Sequence, residues 1–226
     1  MAYIPGIDLS SVQGPISAQD FATMKARGSR FAVAKCGNGN NAQPDPDALV
    51  YAPRARAAGF VFGLYHFLYV GLPTDPGHPN RDPEGQATLH WAQEEKIWQP
   101  GDLITFGDAE WPRPENWARW QTSQAYAREW LLRYRDKYVT LSGRTLGFYF
   151  DEGFMRAVKP SAEYASSPAW IASWAPYVAP IFPWPGWSIW QTSGGGGRLP
   201  DGAPVDTDVI ADEATLSMLV GNPVSA

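Results

Sequence analysis

The stretch Leu103–Glu110, "LITFGDAE", indicates the fold of this chain. Its first half is apolar, as in a buried β-strand, yet it ends in two carboxylates, Asp108 and Glu110. Because side chains alternate along a strand, both acids project to one side and Ala109 to the other. In a parallel α/β barrel the C-terminal ends of the strands carry the chemistry, since the βα loops gather there. An isolated pair of acids is equally consistent with the start of a solvated loop. The choice between an active site and a loop therefore depends on the rest of the chain.

Seven other segments share the short apolar, β-branched or aromatic composition of a strand. With the first, the candidates lie at residues 6–10, 30–36, 61–69, 103–110, 145–150, 169–174, 187–193 and 205–210. Helical patterns separate the earlier candidates, at residues 17–28, 45–59, 81–96, 115–138 and 151–158. Ser17 is the expected cap of the first helix, and Gly59 the expected end of the second. After residue 160 the pattern predicts strands and Pro/Gly-rich loops without further helices.

Strands that alternate with helices predict βα units and a parallel sheet. About five such units followed by about three strands with little helix predict an α/β fold, an irregular TIM-like (β/α)5(β)3 barrel. We expect a single domain over residues 1–226, because no segment has the composition of an interdomain linker. A doubly wound open sheet is the alternative. The run Gly194–Gly197, between two strand candidates, is expected to form a flexible turn.

Composition argues against several classes of protein. The formal net charge of −5 argues against a nucleic-acid partner, which would require a basic face. No run approaches eighteen apolar residues, so we expect no membrane insertion. The single cysteine, Cys36, cannot form an intramolecular disulfide, and its apolar setting predicts a buried, inert thiol. The three histidines lack metal-ligand spacing, and we expect no cofactor.

Aromatic side chains are frequent, with 11 Trp and 10 Tyr in 226 residues. Large rings commonly fill the core, but several could line a groove and stack on the flat apolar faces of a ligand. Composition alone does not separate these two uses.

Acids recur near the ends of other strand candidates. Asp8 lies within "GIDLSSVQG", and Asp206 and Asp208 lie within "VDTDVI". Such residues are costly in apolar strands unless they are paired or functional. Acids carried by three strands to one barrel end would push their pKa values apart, leaving one protonated and another ionised. A glycosidase needs this arrangement. A site for Mg²⁺ or Ca²⁺ is the competing interpretation.

Seven motifs in the right order resemble the glycoside hydrolase family 25 lysozymes, also called Chalaropsis-type muramidases, which occur among phage endolysins and bacterial autolysins. The motifs are "GIDLSSVQG", "FAVAKCGNG", "AAGFVFGLYHF", "FGDAEW", "WIASW", "WSIWQTSGGG" and "VDTDVI", and they extend from about residue 5 to about residue 212. Each motif alone is weak, but the ordered set is specific. The resemblance implies a barrel of five βα units plus three strands. It also implies hydrolysis of the β-1,4 bond between N-acetylmuramic acid and N-acetylglucosamine in peptidoglycan.

The resemblance implies roles for individual residues as well. Glu110 corresponds to the general acid, and Asp108 to a partner that stabilises charge or orients the substrate's N-acetyl group. Asp8 and Asp206 match the remaining acids of the family's site. Groove-facing positions of the family correspond here to Tyr65, His66, Tyr149, Trp174 and Gln191. His66 is either such a contact or a buried hydrogen-bonding histidine. Trp111, directly after the acids, is either a wall of the substrate groove or a packing residue.

The family is associated with retention of configuration, by one of two routes. A carboxylate nucleophile would lie roughly 5–5.5 Å from Glu110. Assistance by the substrate's own N-acetyl carbonyl would leave Asp108 as an orienting group. We favour the second route, because two acids one residue apart on a strand are already close together.

Three positions depart from the family pattern. Asn38 stands in "KCGNG" where the motif usually has an acid. Asp208 stands where the family usually has Asn, which adds a charge near Asp206. Phe150 follows Tyr149 where Thr is usual. These departures bear on subsite contacts and specificity more than on activity, because the Asp-x-Glu pair is intact.

Two rival functions keep the same barrel. One is a non-catalytic wall-binding protein or virion component, although the complete Asp-x-Glu pair argues against it. The other is an N-acetyl-hexosaminidase acting on chitin-like chains, because an Asp-x-Glu strand end also occurs in barrel chitinases.

The expected partner is a peptidoglycan glycan strand, bound by a monomer without a separate cell-wall-binding module. The start of the chain, "MAYIPGIDLS", lacks the basic and apolar regions of a signal peptide. This favours a phage endolysin, made in the cytoplasm of the bacterial host and released by a separate pore to act on the cell wall.

Overall fold

Strands and helices alternate through most of this computed structural model, which describes residues 3–71, 82–110 and 124–221. The strands are β1 Ile4–Leu9, β2 Phe31–Asn38, β3 Val61–Phe67, β4 Thr105–Asp108, β5 Leu146–Asp151, β6 Ala169–Ala172, β7 Ile189–Arg198 and β8 Pro204–Ile210. The α-helices are α1 Ala18–Ala26, α2 Pro46–Ala57, α3 Pro83–Glu94, α4 Gln124–Ser142, α5 Glu152–Val158 and α6 Glu213–Leu219. Short 3-10 helices cover Ser11–Gln13 and Ala162–Ser166.

The strands close into one barrel in chain order. Strands β1 to β7 run parallel to one another, and β8 closes the barrel by running antiparallel to both β7 and β1. The predicted α/β barrel of five βα units and three further strands is therefore confirmed, and the open-sheet alternative is wrong. We call the end where β1 to β7 finish the mouth, and the opposite end the floor.

Local sequence signals set the limits of the first two helices. Ser17 caps α1: its hydroxyl accepts from the backbone N–H of Asp20, and the Asp20 carboxylate accepts from the N–H of Ser17. Asp45 caps α2 immediately before Pro46, the first residue of that helix. Gly59 follows α2 at a φ of +81°, in the left-handed region that favours glycine. The predicted cap and the predicted stop are both confirmed.

Alternation along the strands separates the barrel interior from the layer beneath the helices. Ile7 and Leu9 of β1 face outward and pack in a cluster with residues of α1 and α2. Ile4, from the same strand, packs inside the barrel with Phe31 and Phe106. The interior below the mouth is therefore a packed apolar core.

Two glycines make room for large rings inside the barrel. A Cβ on Gly6 would lie 2.4 Å from the ring of Phe31, and a Cβ on Gly147 would lie 2.4 Å from the ring of Phe106. Both rings are fully buried, so they have little room to move aside. Close approach, rather than an unusual backbone conformation, requires glycine at these positions.

The run Gly194–Gly197 corrects one expectation from the sequence. It forms no turn but lies inside β7, and Gly197 is paired with Val205 of β8. The register of this pair shifts twice, between Gln191 and Ser193 and between Ser193 and Gly197. A glycine run can pair like any other backbone, and the missing side chains allow these irregularities.

The helices in the second half of the chain also differ from the sequence pattern. A 3-10 helix and α6 follow residue 160, where the pattern predicts no further helix. Helix α6 begins at a clear cap, since the Asp212 carboxylate accepts from the backbone N–H of Thr215. Of the helix expected over residues 115–138, the part from residue 124 belongs to α4, and residues 115–123 lie outside the described residues.

Candidate active site

Four carboxylates gather at the mouth from strands far apart in the sequence. Asp8 lies near the end of β1, Asp108 ends β4, and Asp206 and Asp208 lie in β8. Because β8 runs antiparallel to β1, Asp206 is paired directly with Asp8, and Asp208 is paired with Gly6, one interior step nearer the floor. The structure thus brings together the acids that the sequence placed on three separate strands.

Asp108 is held deep in this cluster. Its side chain is 5% exposed, and the following Ala109 packs on the helix-facing side, as alternation along the strand requires. Burial, followed by the charges of Glu110 and Asp8, raises the pKa of Asp108 well above its ordinary value, while the Lys35 ammonium acts in the opposite direction. Its Oδ1 is buried without a hydrogen-bond partner. An unsatisfied buried acceptor is costly, and a proton or a donor group on a bound ligand would relieve that cost.

Glu110 lies at the rim of the mouth, where it is exposed. Partial loss of hydration, followed by the charges of Asp151 and Asp206, raises its pKa above the ordinary value. This carboxyl therefore combines access from solvent with a tendency to keep its proton at higher pH than a free glutamate, which is what a general acid requires.

Hydrogen bonds connect Asp8 to Gln191 of β7 and, through that amide, to Tyr149 of β5. The Gln191 amide Nε2 donates to Asp8 Oδ2 at 2.7 Å, and the Tyr149 hydroxyl donates to Gln191 Oε1 at 3.0 Å. Burial, followed by the charge of Asp206, raises the pKa of Asp8 to about 7. Burial also raises the pKa of Tyr149, so its hydroxyl remains a donor.

The two acids of β8 differ in depth. Asp208 is 1% exposed, and the Trp170 indole N–H donates to its Oδ1 at 2.8 Å. Burial, followed by the charge of Asp8, raises the pKa of Asp208 well above its ordinary value. Asp206 is half-buried, and its Oδ1 accepts from the backbone N–H of Gly195. The glycine run of β7 thereby fixes the position of one acid of the cluster.

Aromatic side chains surround the acids. Tyr65 and Tyr149 meet Trp170 edge to face, with ring centroids 6.0 and 4.8 Å from the indole. Trp174, just beyond β6, is 63% exposed. A Cβ on Gly194 would lie 3.4 Å from the Trp174 ring, so the bare backbone of β7 runs close beneath this indole. Trp111, the remaining aromatic residue expected here, lies outside the described residues.

His66 does not lie at the mouth. It follows Tyr65 in β3 and projects to the helix side, where its ring is 0% exposed. Its Nε2–H donates to the carbonyl of Gly39 at 2.9 Å, and its ring stacks on His90 with the centroids 5.0 Å apart. Burial lowers the pKa of His66 to about 4, so the ring is neutral at neutral pH. The prediction of a direct substrate contact is wrong; the alternative, a buried hydrogen-bonding histidine, is confirmed.

The model of the glycosyl hydrolases family 25 matches residues 7–197, which is most of this chain. The chain belongs to glycosyl hydrolase family 25. No curated protein matches the sequence significantly.

Solved structures similar to this family 25 hydrolase agree with the fold over nearly its whole length. The bacterial lysozyme from Streptomyces coelicolor is 22% identical, with a TM-score of 0.75, over 97% of this chain and 96% of that one. The muramidase from Trichobolus zukalii is 22% identical, with a TM-score of 0.76, over 96% and 98%. The catalytic domain of an endolysin from a bacteriophage of Listeria monocytogenes is 20% identical, with a TM-score of 0.69, over 96% and 97%.

Sequence reasoning did not assign Trp170, Lys35 or Asp151 to the site of this family 25 hydrolase. The signal that identifies them is their position relative to neighbours on the same strand. Asp151 lies two residues after Tyr149 in β5, so the two share the interior side of that strand, and Trp170 of β6 packs inside the barrel with Phe106. Lys35 lies two residues after Val33, which packs inside the barrel.

Over residues 3–71, 82–110 and 124–221, no three His, Cys, Asp or Glu side chains are grouped as a metal ion would require. Within those same ranges, no helix is both long and apolar enough to cross a bilayer. Cys36 is a free thiol buried in β2, and burial raises its pKa well above the ordinary value.

Proposed function

We propose that this family 25 hydrolase is a muramidase that cleaves the β-1,4 bond between N-acetylmuramic acid and N-acetylglucosamine in peptidoglycan. The observation that carries the proposal is the pair formed by exposed Glu110 and buried Asp108 at the mouth, both with raised pKa values. The similar structures described as a lysozyme and a muramidase support the choice of substrate.

Glu110 is the proposed general acid. It donates its proton to the glycosidic oxygen as the bond to the anomeric carbon breaks, so the leaving sugar departs with a neutral hydroxyl. The Glu110 carboxylate then accepts a proton from the water that completes hydrolysis, which restores the starting state. Its exposure supports this role, because a general acid has to reach the leaving oxygen of a bound polymer.

Asp108 is the proposed orienting group for the substrate's N-acetyl group, and the configuration is retained. The carbonyl oxygen of that group attacks the anomeric carbon and forms a cyclic intermediate, which water then opens from the opposite face. Its burial and strongly raised pKa make Asp108 a poor nucleophile, because a nucleophilic carboxylate has to be ionised and has to reach the anomeric carbon.

The remaining residues of the mouth bind and stabilise the glycan. Asp8 and Asp206 supply the negative charge that stabilises the oxocarbenium-like transition state. Exposed Trp174 offers a flat apolar face on which a sugar ring can stack. The residues proposed to line the groove with it are Tyr65, Tyr149 and Gln191.

The substitution Glu110→Gln tests this assignment. It removes the transferable proton while keeping size and hydrogen-bonding capacity, so release of sugar ends from purified peptidoglycan should fall roughly 10²–10⁴-fold. The matched control is Glu129→Gln, at an exposed position of α4, which should keep full activity. Mass spectrometry of the products identifies the bond, because a muramidase leaves N-acetylmuramic acid at the new reducing ends. Full activity in the Glu110→Gln protein would show that another group is the acid.

The same assay separates the rival functions. A wall-binding protein without activity would sediment with peptidoglycan and release no reducing ends. An N-acetyl-hexosaminidase would release reducing ends from chitin oligomers as readily as from peptidoglycan. A thiazoline mimic of the cyclic intermediate should inhibit the enzyme if the N-acetyl group assists, and should have no effect if a carboxylate is the nucleophile.

A further inference from the structure

Asp208 is an acid in an unusual place, the interior layer just beneath the catalytic cluster. It is flanked in the barrel wall by Gly6 of β1 and by Gln191 of β7, which are its direct partners in register. Gly6 has no side chain, and the Phe31 ring occupies the space that its Cβ would take; Asp8 is the next interior residue of that strand. The family resemblance expects Asn at this position, and the chain has a carboxyl of nearly the same shape.

The hydrogen bonds around Asp208 leave one of its oxygens without a donor. Oδ1 accepts from the Trp170 indole N–H at 2.8 Å. Oδ2 is fully buried and receives no N–H or O–H from a neighbouring group. The neighbour of the Asp208 carboxyl is the carboxyl of Asp8, and the two are within hydrogen-bonding contact.

Two carboxyls in buried contact cannot both be ionised unless a cation lies between them. The titratable and charged groups that face the pair from the surrounding strands and the rim are Lys35, Tyr65, Asp108, Glu110, Tyr149, Asp151 and Asp206. Lys35 is the cation among these groups. Its Nζ lies 3.6 Å from Asp45, and the carboxyl of the cluster on which its charge acts is Asp108, whereas the causes that shift the pKa values of Asp8 and Asp208 do not include it. The Asp8–Asp208 pair therefore has to hold a proton.

The position of that proton follows from the donors that each acid already has. Asp8 accepts from the Gln191 amide at 2.7 Å and lies nearer the mouth, so its ionised form is the better stabilised of the two. Asp208 lies deeper, and its Oδ2 has no donor. A proton on Oδ2 satisfies this oxygen and, at the same time, gives Asp8 a second hydrogen bond.

We propose that Asp208 is a positioning residue that keeps a proton on Oδ2 and donates it as a hydrogen bond to the Asp8 carboxylate. The resulting network runs from the Tyr149 hydroxyl through Gln191 to Asp8, and from the Trp170 indole through Asp208 to the same carboxylate. It joins five strands, β1 and β5 to β8. Its value for catalysis rests on the proposed function, in which Asp8 stabilises positive charge in the transition state.

The proton shared by Asp8 and Asp208 makes the activity depend on pH. When the shared proton leaves at alkaline pH, two adjacent negative charges repel each other, and Asp8 keeps only the hydrogen bond from the Gln191 amide. Activity should therefore decline a second time on the alkaline side, in addition to the decline caused by loss of the Glu110 proton, as this proton is lost. The strongly raised pKa of Asp208, caused first by burial and then by the charge of Asp8, agrees with a proton held through neutral pH.

The substitution Asp208→Asn tests the proposal, because an amide donates its N–H at every pH. The variant should remain active near the optimum, and the second alkaline decline, distinct from the one caused by loss of the Glu110 proton, should move upward by about 1 pH unit or more or disappear. Asp208→Leu, which has no donor, should lose roughly 10- to 100-fold in rate at all pH values. An exposed control, Asp136→Asn on α4, should leave the profile unchanged. An alkaline limb identical in the wild type and Asp208→Asn would overturn the proposal.

A second measurement is independent of activity. In infrared difference spectra between the wild type and Asp208→Asn at neutral pH, the carbonyl stretch of one protonated carboxyl should be present only in the wild type. Carbon-13 NMR titration of labelled aspartates gives the same information on the wild-type protein alone, should the variant fail to fold. Absence of a carboxyl at Asp208 that stays protonated at neutral pH would refute the idea even if the muramidase assignment holds. Conversely, this proton can be present in a protein that proves inactive on peptidoglycan, so the two failures are distinguishable.

Discussion

Gly147 shows how a single hydrogen in place of a side chain sets the packing of the barrel. Its missing Cβ leaves room for the buried ring of Phe106, which in turn packs edge to face against Trp170 with centroids 5.4 Å apart. Trp170 holds Asp208 through its indole N–H. Gly147 is thus linked to the acidic cluster by three successive contacts, through Phe106 and Trp170 to Asp208.

The substitution Gly147→Ala should therefore destabilise the protein. The added methyl group would lie 2.4 Å from Phe106 and 3.1 Å from the backbone carbonyl of Pro168, so ring and backbone both have to shift, at a cost of about 1–3 kcal/mol. Urea unfolding measures this loss. The control is Gly186→Ala, where an added Cβ meets no atom within 4 Å. Equal stability of the two variants would contradict this account of the barrel interior.

At the scale of single residues, sequence-based predictions were right where the alternation of side chains along a strand was taken into account, and wrong where it was not. Asp108 and Glu110 were placed on one side of a strand because a single residue separates them. Tyr65 and His66 are adjacent, so they cannot both face the groove from a regular strand, and His66 is the one that faces the helices. A motif indicates which residues are characteristic of a family. The alternation of side chains along the strand indicates which of those residues can face the mouth.

Helix α6 is the element that the sequence pattern did not predict. It has only seven residues, too few to give a clear amphipathic period, and its stability comes from packing against the floor. Leu216 and Leu219 join the interior cluster that contains Ile4 and Ile104, and the carbonyl of Leu219 accepts from the backbone N–H of Ile104. The helix thus closes the barrel at the end opposite the acids.

Truncation of Leu219 should show how much this closure contributes. Leu219 is fully buried, so Leu219→Ala removes apolar contact and leaves a cavity, at a cost of about 2–5 kcal/mol. The adjacent Met218 is 57% exposed on the same helix, and Met218→Ala should change stability by less than about 0.5 kcal/mol. Thermal or chemical denaturation compares the two variants. A loss of similar size in both would mean that helix propensity, rather than packing on the floor, makes α6 important.

Strand β7 shows why the glycine run misled a sequence-based prediction. Glycine is common in turns because it has wide backbone freedom, and Gly195 does use it, at a φ of +72°. Pairing with β8 nevertheless continues to Arg198, because hydrogen bonding between backbones needs no side chains. Local propensity predicts a break, and the tertiary partner overrides it.

At the scale of the whole molecule, the barrel was predictable because the spacing of hydrophobic residues along the sequence indicates the order of strands and helices. Closure was harder to predict, since it depends on β8 meeting β1 across nearly the whole length of the chain. Seven parallel strands do not by themselves indicate whether the eighth closes a ring or extends an open sheet. The structure shows the closure directly, because Asp206 and Asp208 of β8 are paired with Asp8 and Gly6 of β1.

The pH dependence of stability belongs to the whole molecule, because buried groups of opposite type contribute to it. Burial lowers the pKa of His66 to about 4, so below its unfolded value of about 6.5 the unfolded chain binds a proton that the folded protein does not. This stabilising contribution is complete above pH ~6.5 and is lost as the pH falls towards the folded value. Asp8 and Glu94, both raised to about 7, act in the opposite direction, because their folded forms retain protons that the unfolded chain releases.

The substitution His66→Gln isolates the histidine contribution. A glutamine can still donate to the carbonyl of Gly39 but does not titrate. Between pH 7 and pH 4 the free energy of unfolding of the wild type should fall relative to that of the variant by up to about 3 kcal/mol. Urea titrations of both proteins across this range measure the difference in slope, in which the contributions of the acids cancel. Parallel curves would show that His66 titrates normally in the folded protein.

The direction of β8 has a practical consequence for how this barrel can be handled. The strand enters at the mouth and leaves at the floor, where Ile210 is paired with Ile4 at the start of β1 and Val220 bridges to Leu103. Both ends of the described chain therefore emerge on the side away from the acids. A tag or a second protein fused at either end would be carried on the far side of the barrel. Attachment to a solid support through these ends would leave every mouth facing outward, free to lie against an insoluble polymer.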